Sequence, residues 1–306
     1  MTNSENKAML LLTAEGTRIE IALDVASAPK TLNDLLATLP ARIDLHCAKI
    51  AGDQILWPTP ILQPLESARD IHGTPPGAFI YYPKRQFLEI MYGPLQEETA
   101  SVTLLGQVKG DLEPVRRLGE RVQAEHGWRT IWAELAPGPA SGWRQALAAA
   151  AGTPRRAPPA DAAREEARRA RVAMWQAPPQ EIERLRARRG VMLPFGPLVF
   201  AESETRKLHE NLWLLRETGD ARLIAESGSL LIRGAAVQLR DFLGLAESAG
   251  ALAGIADALP RTKEPGAFLD EAILLVGRLS HWLDLYFPWQ KLNALAEAAA
   301  SGTRGA

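Results

Sequence analysis

The chain has one cysteine, Cys47, in 306 residues. That excludes an internal disulfide and any metal site built from clustered thiolates, and it fits a reducing compartment. Long apolar runs are missing too. No uncharged stretch approaches the roughly 20 residues that a membrane helix needs. The opening residues, MTNSENK, lack the basic-then-apolar order of a signal peptide. Neither sign of charge is in excess: 35 Lys+Arg face 36 Asp+Glu, a formal net charge of -1. A whole-molecule basic field for nucleic acid is thereby ruled out. No Walker loop is present, and no Gly-x-Gly-x-x-Gly follows a strand. The expectations are a cytoplasmic protein with no membrane segment, no cofactor and no metal.

What is present is ordinary for a globular chain, with 46% hydrophobic and 23% charged residues. At about 100–200 residues per domain, the length suggests two domains.

Three textures follow one another. From residue 7 to 135 the pattern is that of strands. KAMLLLT and TRIEIAL flank the turn-like Glu15-Gly16, and RIDLHCAKI alternates with Ile43, Leu45 and Cys47 on one side. QILW, AFIYY, FLEIMYG, SVTLLGQV and WRTIWAEL read as further strands. Two helices interrupt them. In the first, Ser27 is the expected cap, Pro29 lies in the first turn, and Leu32, Leu35, Leu36 and Leu39 share a face. In the second, Asp111 is the expected cap, and Val115, Leu118 and Val122 recur at helical spacing. Seven or eight short strands with two inserted helices predict a closed β-barrel, because closure removes exposed edges.

Residues 136–190 hold seven prolines, eleven arginines and no lysine, against five acids. This predicts a linker or peripheral helical segment. From 191 to 302 the period is helical. Leu208, Leu212 and Leu215 form one stripe, Asp220 is an expected cap, and Pro260 and Pro288 are stops. Four or five helices, most with one apolar stripe, predict an all-α bundle. Ser227-Gly228-Ser229 reads as a kink or as small-residue packing.

The order of motifs in the first region carries a resemblance. LATLP ends a helix, and LHCAKIAGDQILWPTP joins a strand, a Gly-acid turn and an aromatic before a proline. PPGAFIYYP, FLEIMYG and LLGQVKGDLEPVRRLG follow. This region resembles the bacterial cyclophilin-like barrels of unknown function, the DUF3830 group and its small cyclophilin-like neighbours. The resemblance covers about 130 residues and implies a barrel without implying an activity. The Phe-His-Arg and Gln-Gly-Gly strings of the peptidyl-prolyl isomerases are absent, and Arg42, Arg69 and Arg85 stand in other contexts. No catalytic residue is carried over.

A barrel of this size suits a small ligand held by aromatic walls and a few polar groups. The strand aromatics Trp57, Tyr82 and Tyr92, with Arg85, are the expected ligand-binding residues, against the plainer reading that such aromatics fill core. His46 and Glu89 are the candidates for proton transfer, since each alternates opposite apolar neighbours and imidazole titrates near neutrality. They share a face if their strands neighbour one another. His72 and His126 read as surface residues, and Cys47 as an inert buried thiol. His281 and Asp284 have helical ligand spacing, with His209 one helix away, but the paired Glu-x-x-His pattern is missing. Trp282 and Trp289 belong to a helical domain expected to mediate self-association.

The leading expectation is a small-molecule or partner-segment binder that forms a homo-oligomer through its helical domain. The alternatives are an enzyme, either a divergent isomerase or an accessory subunit in small-amide or carboxylate metabolism, and a nucleic-acid binder using the arginine-rich stretch with Trp175. Interspersed acids at Glu165, Glu166, Glu181 and Glu183 argue against the last.

Overall fold

The computed structural model describes residues 8–49, 52–95, 100–138, 147, 161–188 and 196–302. The chain divides into two compact units, residues 1–154 with 288–306, and residues 155–287. No helix among the described residues is long and apolar enough to cross a membrane.

The first unit is built from nine strands: β1 (Met9–Ala14), β2 (Thr17–Leu23), β3 (Ala41–Cys47), β4 (Gly52–Pro58), β5 (Ala68–Asp70), β6 (Ala78–Tyr82), β7 (Phe87–Leu95), β8 (Ser101–Val108) and β9 (Ile131–Pro137). Every pairing among the described strands is antiparallel. The order is β2-β1-β9-β3-β4-β7-β6-β8, and a further β2–β8 pairing closes the ring; β5 is added to β8 alone. The expected closed barrel is therefore present. Closure depends on a residue without a side chain. At the seam Gly106 lies opposite Leu23, and a Cβ there would stand 2.2 Å from the Ala22 carbonyl oxygen.

Period-two alternation sorts the strand residues between two faces. Leu10, Leu12, Ile19, Ile21, Leu45 and Ile90 belong to one buried cluster inside the ring. A second, smaller cluster of Ile71, Ala78, Ile80, Met91 and Val102 lies on the outer face of β6, β7 and β8. Cys47 points inward with the first cluster. Burial pushes its thiol up to about 11, so it stays protonated and unreactive at neutral pH. Alkylation of the native protein at about pH 8 is expected to be no faster than unfolding, with full labelling in denaturant. Rapid native labelling, read by mass spectrometry, contradicts this placement.

Helices α1 (Pro29–Ala37) and α2 (Glu113–Glu125) are the two inserted helices. The cap of α1 is a correction. Ser27 Oγ donates to Asp24 Oδ2 at 2.6 Å, and the helix amides of Lys30 and Thr31 donate instead to the Glu66 carboxylate, at 3.2 and 2.6 Å. A distant carboxylate suits the positive helix end better than a local hydroxyl. At the start of α2 the N-cap position is Leu112, and Asp111 just before it accepts from the Glu113 amide at 3.0 Å.

The second unit is all helical. It comprises α3 (Ala162–Gln176), α4 (Gln180–Ala187), α5 (Gly196–Glu217), α6 (Ala221–Asp241), α7 (Ala246–Ala258) and α8 (Pro265–Leu285). The arginine-rich stretch thus supplies two helices to this unit; its residues 139–146, 148–160 and 189–190 lie outside the described ones. The buried Glu181 of α4 accepts from the Glu247 and Ser248 amides at 2.8 and 3.0 Å, which caps α7. Asp220 caps α6 as expected. Helix α6 runs unbroken through Ser227-Gly228-Ser229, and Ser229 Oγ donates to the Ala256 carbonyl at 2.7 Å. The stretch is small-residue packing. The last helix, α9 (Trp289–Gly302), groups with the barrel, where Lys49 lies over the Trp289 ring and Lys291 over Trp128.

Candidate functional site

The outer face of β3, β4 and β7 departs from the usual rule. An outward barrel face is expected to be solvated and polar, or apolar where it is covered. Here it is polar and buried. His46 is 0% exposed, Asp44 2%, Gln54 2% and Glu89 3%.

The ladder register places them. His46 of β3 lies opposite Leu56 of β4, and Leu56 lies opposite Glu89 of β7. The candidate acid–base residues therefore share one face but are separated by the whole of β4, about two strand spacings of 4.8 Å. Asp44 is two residues before His46 on the same strand, so it shares this face. Its Oδ2 lies 3.0 Å from His46 Nε2. A carboxylate in that position orients the imidazole. The Phe87 ring tilts against His46 with centroids 5.6 Å apart, and the His126 ring is 6.3 Å away. His126, expected on the surface, is buried at the end of α2. His72 is exposed as expected.

The expected aromatic wall is split between faces. Tyr82 lies opposite Phe87, and Ile80 opposite Glu89, so Tyr82 shares the outer face with His46 and Glu89. Trp57 and Tyr92 belong to the inner cluster instead. Trp57 stacks on Phe79 with ring centroids 5.7 Å apart. Tyr92 reaches the rim, and burial with nearby Asp53 pushes its phenol up to about 12, so it remains a neutral donor. It lines a cavity of about 490 Å³ with Thr74, Met91, Leu112 and Arg116. Met91 projects from the outer face, two residues beyond Glu89. Arg85 sits half-buried in the turn between β6 and β7.

Two residues of this face, Asp44 and Gln54, were not among the sequence candidates. Asp44 was legible: it alternates in step with His46, opposite the apolar Ile43, Leu45 and Cys47. Gln54 had no such signal.

In the helical unit, His209, His281 and Asp284 are all buried. The Arg206 guanidinium lies 3.4 Å from Asp284, and Trp213 Nε1 donates to His209 Nε2 at 3.3 Å. His209 and His281 have ring centroids 6.3 Å apart. Arginines of α3 and α4 also meet acids: Arg168 with Glu165 at 2.7 Å, Arg171 with Glu271 at 2.6 Å, and Arg186 with Glu183 at 3.0 Å. Each such pair reduces what the stretch can offer a phosphate backbone.

No family model matches the chain, and no curated protein matches it. Among solved structures it is similar to that of McbB in complex with tryptophan, with a TM-score of 0.71 and 20% identity, over 94% of this chain and 99% of that one. At that identity the likeness concerns the fold. The solution structure of the hypothetical protein AF2241 from Archaeoglobus fulgidus matches 44% of this chain and 98% of its own at 15% identity. Its TM-score of 0.34 carries no argument.

Proposed function

We propose that this chain binds an aromatic amino acid, or a close relative of one, on the outer face of β3, β4 and β7. The Asp44–His46 pair and Glu89 move protons on that ligand. One observation carries the reading. Four polar side chains, three of them ionisable, are buried on a strand face where burial without purpose costs stability. A protein sharing the fold is solved with tryptophan, which supports the ligand class. The face offers the means for acid–base chemistry: an imidazole oriented by a carboxylate and a second carboxylate one strand beyond Leu56. The closed eight-stranded wall with two helices supports the cyclophilin-like kinship as part of the same proposal, and the buried, unreactive Cys47 supports a cytoplasmic setting.

Titration calorimetry with L-tryptophan tests it. Wild type is expected to bind, and Glu89→Gln to bind at least tenfold more weakly. No binding by wild type, or identical affinities, removes the proposal.

The helical unit supports self-association. Leu223, Leu230 and Val237 follow at seven-residue spacing on α6, all exposed, with Leu230 at 73%. Ser227 and Gly234 lie between them, and a Cβ at Gly234 would meet nothing. An antiparallel second copy would seat the large side chains on the small ones. Sedimentation is expected to show a dimer, reduced to monomer by Leu230→Asp; a strictly monomeric wild type contradicts it.

A further inference from the structure

Gln54 is buried on the proposed face, and its Nε2 has no hydrogen-bond partner. A buried amide donor left unmet destabilises a fold, whereas an apolar side chain of the same size does not. Its position is informative. His46 and Glu89 each lie opposite Leu56, from the two sides of β4, and Gln54 stands two residues before Leu56 on the same face. Gln54 is therefore a diagonal neighbour of both candidate acid–base residues, at backbone separations of about 7–8 Å. Across β7 its partner is Met91, which lines the cavity of about 490 Å³.

The charges around it narrow what it meets. Beyond the Asp44–His46 pair, Glu89 is a carboxylate on this face, and a carboxylate favours a cationic group. The Gln54 amide nitrogen needs an acceptor oxygen. An α-amino acid carries both an ammonium group and a carboxylate, on adjacent atoms. We infer that Gln54 is the residue that reads the ligand's carboxylate, donating Nε2–H to one of its oxygens while the ammonium group faces Glu89. The inference rests on the reading of this face as the ligand site and adds the group that selects an amino acid over an amine.

The test uses the full chain and three probes: L-tryptophan, tryptamine, which lacks the carboxylate, and indole-3-propionate, which lacks the amine. Without ligand, Gln54→Leu is expected to melt at or above the wild-type temperature, because it removes an unsatisfied donor. With ligand, its affinity for L-tryptophan is expected to fall about tenfold to a hundredfold, the range for a hydrogen bond to a charged group. Indole-3-propionate is expected to lose affinity similarly, and tryptamine to be unaffected. A clear fall in the ligand-free melting temperature overturns the inference, since Gln54 would then bond within the protein. Equal weakening of tryptamine and L-tryptophan overturns it as well and leaves the site itself standing. If wild type binds none of the probes, the reading of the face falls first, and Gln54 has no carboxylate to read.

Discussion

Gly106→Val is expected to abolish the cooperative unfolding transition of the barrel. Gly106 pairs with Phe79 of β6 on one side and with Leu23 of β2 on the other, so it sits at the seam that turns an open sheet into a ring. A Cβ there would lie 2.2 Å from the Ala22 carbonyl oxygen and 3.1 Å from Leu23 Cα. Both obstacles are backbone, which cannot rotate aside as a side chain can. Relief requires β2 to move off β8 and break the closing ladder. Overpacking within a core costs about 1–3 kcal/mol, and a forced strand separation costs more, against a total stability of about 5–15 kcal/mol. Gly250→Ala is the control. It lies in α7, a Cβ there would meet nothing, and a helical Gly→Ala exchange gains up to about 1 kcal/mol. Thermal melts followed by circular dichroism read both. A Gly106→Val protein that melts like wild type would mean that the ring is not closed at this seam.

The second large effect concerns the acid–base pair. Removing the imidazole outright would take its 3.0 Å partner from the buried Asp44 carboxylate, and breaking a buried pair by deleting one member costs about 3–5 kcal/mol. His46→Gln avoids this, because the amide keeps an N–H for Asp44 but cannot exchange a proton. It is expected to fold with a melting temperature near wild type and to bind ligand. Any turnover is expected to fall by about 10²–10⁴-fold, the usual contribution of a positioned general acid or base. Glu89→Gln is expected to weaken the binding of ammonium-bearing ligands and to lower turnover as well. If His46→Gln keeps full turnover, His46 is a structural residue that holds Asp44. If neither variant nor wild type turns over any ligand while all bind, the protein is a binder and its buried pair serves recognition.

The strands were legible because alternation in RIDLHCAKI and FLEIMYG already separates Ile43, Leu45, Cys47, Leu88 and Ile90 from His46 and Glu89, and the inner and outer faces follow that division. Strand β5 was not legible. Its three residues, Ala68–Asp70, are all exposed, so no apolar periodicity marks them. The α1 cap was misplaced because Glu66, which makes it, stands 35 residues from Thr31 in sequence. The site was half legible for a similar reason. A polar residue on a strand ordinarily signals solvent, and only non-local cover makes Gln54 and Asp44 buried. Strand aromatics carry the opposite ambiguity: Trp57 filled the core and Tyr82 went to the outer face, although composition alone treats them alike.

The most direct measurement is a crystal structure of the protein soaked with L-tryptophan. The amino acid is expected against β3, β4 and β7, with its ammonium within hydrogen-bond distance of Glu89 and a carboxylate oxygen at Gln54 Nε2. Tryptophan seated elsewhere, with His46, Gln54 and Glu89 unchanged and untouched, would contradict it.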